Sequence, residues 1–239
     1  MRRMFGFVRI SIVELIRLPS FLLPLAIFPT LLYVTIGLRQ SGDRSLIMLG
    51  YCAFAILGTM MFQFGVGVAT SRNEPWSIYV QTLPGRASER LAAMLISGVA
   101  FSATFCLPVI VTGLASSHTT LTLSPNVVLV AFALIFGAVS LGLLGLALGY
   151  WLPARGAVAI ANIVYFPLSF AGGLFGPIND GMLATIHPWI PTGAWMDLLY
   201  AATFSVIAPV PLTILSLYAV LFGVAATVGY RRVERTVFA

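Results

Sequence analysis

The sequence predicts an all-α membrane protein with six transmembrane helices, and three observations carry that prediction. Among 239 residues there are only 13 basic and 7 acidic side chains, so 8% of the chain is charged. A soluble domain carries roughly a quarter. Mean hydropathy is +1.01, and a surface this apolar belongs in a bilayer rather than in water. Apolar runs of about 20 residues recur along the chain, each long enough at ~1.5 Å per residue to cross ~30 Å of hydrocarbon.

Residues 3–18 predict an interfacial helix ahead of the first span. On a helical wheel Arg2, Arg3, Arg9, Glu14 and Arg17 share one polar arc, while Phe5, Phe7, Val8, Ile12, Leu15 and Ile16 cover the other side. Pro19 ends it. The alternative is a solvated flank of the first span. The spans then follow at about 21–38, 46–69, 91–114, 127–152, 157–175 and 208–230. A polar turn, Arg39 to Arg44, separates the first two, and an uncharged polar loop, Ser116 to Pro125, separates the third from the fourth. Small residues four apart, Gly65 and Ala69 in the second span and Ala133, Gly137, Ala138, Gly142, Gly145 and Gly149 in the fourth, predict close helix packing within the chain.

Arginine placement sets the orientation, because basic residues resist translocation. Six spans put both termini on one side, with Arg2, Arg3, Arg9, Arg17, Arg72, Arg86, Arg90, Arg155, Arg231, Arg232 and Arg235; only Arg39 and Arg44 fall opposite. That side is the cytoplasm. Were 182–205 a seventh span, the basic tail would lie outside. The stretch 176–207, rich in Pro, Gly and Trp, therefore reads as a re-entrant or interfacial hairpin on the outer side.

Between the second and third spans, 71–90 predicts a short cytoplasmic amphipathic helix. Asn73 or Glu74 caps it, Pro75 suits its first turn, and Trp76, Tyr79, Val80 and Leu83 recur on one face until Pro84 and Gly85 stop it. Ser88 is placed to cap the third span. So short a helix is marginal alone in water, so its aromatic face is expected against the bundle or a partner; the alternative is a helix resting on the lipid interface with Trp76 as anchor.

No Asp, Glu, Arg or His lies near the middle of any predicted span, which argues against an ion-coupled carrier. All 13 basic residues are Arg, so there is no lysine for a P-loop or a Schiff base. Any ATP must be bound by another chain. Cys52 and Cys106 sit in apolar runs without metal spacing and read as packing residues. His118 and His187 read as loop histidines, with no nucleophile elbow or metal motif beside them. The basic tail reads as a topology signal near anionic lipid and implies no nucleic acid.

This layout resembles the membrane subunit of type-2 ATP-binding-cassette (ABC) exporters. The likeness rests on 3–18, on SRNEPWSIYVQTLPGRASER at 71–90, and on the glycine pair Gly172 and Gly173 followed by Pro177, Pro188 and Pro191. The resemblance implies an interfacial helix, a cytoplasmic coupling helix and an outer re-entrant helical hairpin before the last span. It implies ATPase coupling through Arg72, Glu74, Trp76 and Tyr79, although Asn73 interrupts the family's Arg-Glu pair. It also implies an assembly in the plasma membrane: two ATPase subunits holding ATP and magnesium, and a second permease subunit, identical or related. No cofactor is expected in this chain, and it is not expected to be an enzyme by itself. Substrate is expected between two permeases, against spans one, two and five, with Phe62, Gln63, Asn162, Phe166 and Phe170 as candidate lining. An apolar, aromatic path without buried charge favours lipophilic or amphipathic cargo such as drugs, antibiotics or lipids. The competing readings are an ATP-independent carrier or channel and an intramembrane enzyme.

Overall fold

The computed structural model describes residues 19–82, 87–116, 127–178 and 180–237. The expected interfacial helix at 3–18 and the polar loop before the fourth span lie outside them. Every regular element among the described residues is helical. In chain order the main helices are α1 (Pro19–Thr35), α2 (Arg44–Ser71), α3 (Pro75–Thr82), α4 (Ala87–Ala115), α5 (Val127–Trp151), α6 (Ala157–Ala171), α7 (Gly181–Ile186), α8 (Pro191–Thr203) and α9 (Pro209–Val237). Five of these, α2, α4, α5, α9 and the stretch Ala154–Ala171 containing α6, are long and apolar enough to cross a membrane. α1, 17 residues long, is shorter.

The helix ends differ from the sequence expectation where local chemistry decides. α2 begins at Arg44 because the Asp43 carboxylate accepts from the backbone N–H groups of Ser45 (2.8 Å) and Leu46 (3.2 Å). Ser88 lies within the helix Ala87–Ala115 rather than at its cap. α1 gives way at Thr35 to a 3-10 turn, Gly37–Arg39, instead of continuing to 38. α6 stops at Ala171, four residues before the expected 175. There Gly173 turns left-handed (φ +65°), the Leu174 N–H reaches Ser169 O (3.1 Å) and the Gly173 N–H reaches Phe170 O (3.1 Å). This is a Schellman ending, in which glycine avoids the steric cost of positive φ. α9 runs past 230 to Val237.

The centre of the bundle is α2. Its most apolar stretch is 83% buried, against 17–33% for the other candidate spans. Gly50 and Gly58 admit neighbours directly: a Cβ at Gly50 would meet the Leu174 carbonyl, and one at Gly58 would lie 2.9 Å from the Tyr165 hydroxyl. Within α2, Met60–Gly67 is π-helical, a wider winding that resets which side chains face inward below it. The fourth-span glycines pack here. A Cβ on Gly145 would strike the Met60 carbonyl and one on Gly149 the Phe64 carbonyl, so α5 rests on the backbone of the π segment. Gly137 similarly admits the indole of Trp195 from α8, whose Nε1–H donates to Ala133 O (2.8 Å). Cys52 and Cys106 are both buried, and the Cys106 thiol lies 3.6 Å from Cys52 O.

Candidate functional site

Two ends of the bundle carry different chemistry. At one end gather the C-termini of α2, α5 and α9 and the N-terminus of α4. The Arg72 guanidinium, one residue past α2, donates from Nη1 to Gly149 O (3.0 Å) and Tyr150 O (2.7 Å). It thereby satisfies carbonyls that the end of α5 leaves open, where the helix dipole also favours a cation. Arg90, 5% exposed, donates to the Tyr230 hydroxyl (2.5 Å), and Tyr230 meets Tyr150 edge to face (5.4 Å). Trp151 donates to Ala225 O (3.0 Å), with Arg232 5.4 Å over its ring. The 71–90 stretch is thus tied at one end to α5 and at the other to α9.

Between those ties α3 stands out from the bundle. Glu74 takes the capping position: its carbonyl accepts the first helical bond, from Ile78 N–H (3.1 Å), and Pro75 follows in the first turn. Trp76 and Tyr79 lie one turn apart with ring centroids 5.6 Å from each other. They are 49% and 53% exposed, and the rings, together with the exposed Glu74, present a surface. Arg72 faces the other way, into the chain.

Of the five candidate lining residues, the structure draws three into one aromatic chain. Phe62 meets Tyr165 edge to face (5.6 Å) and Phe166 packs on the same ring (5.1 Å). Tyr165 stacks on Phe54 (4.8 Å), Phe54 touches Phe175 (4.7 Å), and Phe175 touches Phe170 (4.9 Å). Phe170 is 60% exposed. Gln63 and Asn162 are half-buried, and the Asn162 amide donates back to Val158 O (2.9 Å). Sequence reasoning missed Tyr165, Phe54 and Phe175, the connecting rings. The close aromatic spacing Tyr165, Phe166, Phe170, Phe175 was a signal for them.

At the opposite end, the glycine pair and prolines form a joint. Gly172 lies against Thr192, whose hydroxyl donates to Leu168 O (2.7 Å) and so binds the base of α8 to the last turn of α6. Pro191 opens α8 and is buried; Pro188 lies in the 3-10 turn His187–Trp189; Pro177 is exposed. Gln40 Nε2 donates to Phe175 O (2.6 Å), tying the connection after α1 to the same joint. His187 is not a loosely solvated loop residue: its side chain is 15% exposed, with Nδ1 3.2 Å from Ala171 O and Nε2 3.3 Å from Asp197 Oδ1. Arg39 and Arg44 lie at this end, while Arg72, Arg90, Arg155, Arg231, Arg232 and Arg235 lie at the other, so the described residues keep the basic asymmetry.

Among known proteins, the chain is 22% identical over 160 residues to the candidate transport permease YvfS of Bacillus subtilis (strain 168). The match covers 62% of this chain and 63% of that protein, less than two thirds of the relative's length. No family model matches. Over part of its length the chain is thus similar to a transport permease, and its described residues form helices only, five of them long and apolar enough to cross a membrane.

Proposed function

We propose that this chain is the permease subunit of an ATP-driven ABC exporter. The observation that carries the proposal is α3: a short helix outside the bundle, with Trp76, Tyr79 and Glu74 exposed, fixed at both flanks by Arg72 and Arg90 to different spans. A helix held at both flanks, with two half-exposed aromatic rings, is suited to receive a push from a partner. The chain has no lysine with which to build a P-loop of its own, and ATP and magnesium belong to two cytoplasmic ATPase subunits. In this reading α1, α2, α4, α5, α6 and α9 are the six spans and both termini are cytoplasmic. α7 and α8 are the outer re-entrant hairpin. A second permease subunit completes the path along the Phe62, Phe166 and Phe170 face, which favours lipophilic or amphipathic cargo.

Coupling then has a physical route. Displacement of α3 pulls on Arg72 and hence on the end of α5, and through Arg90 on α9; these helices are already joined by Tyr150 and Tyr230. The distant similarity to a transport permease supports this reading over an intramembrane enzyme.

The test is purification of the full chain from its native membrane in mild detergent, followed by vanadate-sensitive ATP hydrolysis measured on the complex. The expected result is a co-purifying P-loop ATPase whose retention drops at least tenfold in Trp76→Ala/Tyr79→Ala. A chain that purifies alone and moves a fluorescent lipophilic probe in liposomes without ATP would overturn the proposal in favour of a carrier or channel.

A further inference from the structure

The His187 ring sits between two groups that only accept. Ala171 O, at the end of α6, faces Nδ1 at 3.2 Å, and the Asp197 carboxylate, on α8, faces Nε2 at 3.3 Å. A neutral imidazole has one N–H and one bare lone pair, so it can serve only one of them; the other would face its lone pair. Two glycines leave space for the ring: a Cβ on Gly173 would lie 3.3 Å from His187 Cε1, and one on Gly193 would lie 3.1 Å from Nδ1. Only the doubly protonated ring donates to both.

We propose that His187 is a proton-binding site, carried as an imidazolium, and that this proton clasps the α7–α8 hairpin to the end of α6. Among the described residues, the titratable group bonded to the ring is Asp197. α7 has no titratable side chain, α8 contributes Asp197 and Tyr200, α6 contributes Tyr165, which is bonded to Phe54 O, and α9 reaches the turn through the Tyr218 hydroxyl on Trp189 O (2.9 Å). The hydrogen bond to Asp197 raises the His187 pKa; burial opposes this, and the Asp197 charge and the Ala171 carbonyl add to the rise. A histidine whose folded pKa exceeds its unfolded value of ~6.5 contributes its full stabilisation below that pH and loses it as pH rises through the folded value. The clasp is therefore closed below about pH 6.5 and is released as pH rises through the folded value. It lies at the end of the bundle opposite α3, so the proposal stands apart from the ATPase contact assigned to that helix.

The experiment uses the full chain in phosphatidylcholine nanodiscs with 15N-labelled histidine, the other histidine being removed as His118→Gln. The expected spectrum shows both His187 nitrogens protonated at pH 6.5, with a midpoint above it. Asp197→Asn, whose amide can donate to Nε2 of a neutral ring, should lower proton affinity about tenfold, one pKa unit. Amide exchange across 187–197, corrected for intrinsic rate, should accelerate severalfold between pH 6 and pH 9 in the wild type and not in that variant. A singly protonated ring at pH 6.5, an unchanged midpoint in Asp197→Asn, or the same acceleration in both proteins would overturn the proposal. If the variant fails to fold, the wild-type midpoint decides by itself.

Discussion

Replacing Gly145 with alanine tests the packing at the centre of the bundle. The added methyl would strike the Met60 carbonyl, with Met60 C at 3.0 Å and Phe64 Cβ at 3.2 Å beside it. Two of these three atoms are backbone, so no rotamer change clears that carbonyl, and α5 must withdraw from α2 by about 1 Å. A gap of that size forfeits a quarter to a half of each atom-pair attraction, which is ~0.1–0.2 kcal/mol per pair, along the whole contact. In lipid no hydrophobic drive compensates. We expect a loss of about 1–3 kcal/mol, despite the ~1 kcal/mol by which alanine is the better helix former. Gly223→Ala on α9 is the matched control. Its nearest neighbours are Leu143 Cδ1 at 3.6 Å and Cδ2 at 3.9 Å, ordinary contacts, so it should be neutral or stabilising. Reversible SDS unfolding in mixed micelles, followed by tryptophan fluorescence, measures both. Equal stability of Gly145→Ala and wild type, or an equal loss in Gly223→Ala, would show that α5 does not rest on the backbone of α2.

Two further outcomes follow from the basic end. Arg72→Ala removes two charge-assisted bonds to carbonyls of α5 and should cost about 1.5–3 kcal/mol in the same unfolding assay; Arg72→Lys, which keeps the charge but not the planar fork, should fall between it and wild type. Single cysteines should divide by side. Both native cysteines are buried, so a membrane-impermeant maleimide added to intact cells should label Ser41→Cys and leave Asn73→Cys untouched until the cells are opened; labelling of both from outside would contradict the proposed orientation.

Helix existence was legible in the sequence because hydrocarbon imposes a minimum apolar length and because Pro and Gly punctuate the chain. The short helix at Pro75–Thr82 was legible from its proline and its aromatic spacing. Which span sits at the centre was not, since lipid-facing and protein-facing residues are equally apolar: Val128 is 78% exposed and Leu57 fully buried. The small residues Gly50, Ala53, Ala55 and Gly58 on α2 were the available sign. The π winding at Met60–Gly67, against which α5 packs, carries no comparable mark in the sequence. The resemblance implied an ATPase-coupling role for Arg72, and nothing in the sequence signalled its bonds to the open carbonyls at the end of α5, which lie 77 and 78 residues away. For His187, hydropathy placed it in a turn, but the two acceptors around it come from residues 16 positions earlier and 10 later.

The central claim is that the exposed face of α3 receives a cytoplasmic ATPase. A photo-crosslinking amino acid placed at Tyr79, activated in living cells, measures this directly. The account predicts one dominant protein adduct, an ATPase with a P-loop, whose yield changes when vanadate traps the nucleotide. An adduct confined to phospholipid, with no nucleotide-binding protein attached, would instead make α3 an interfacial anchor and contradict the account.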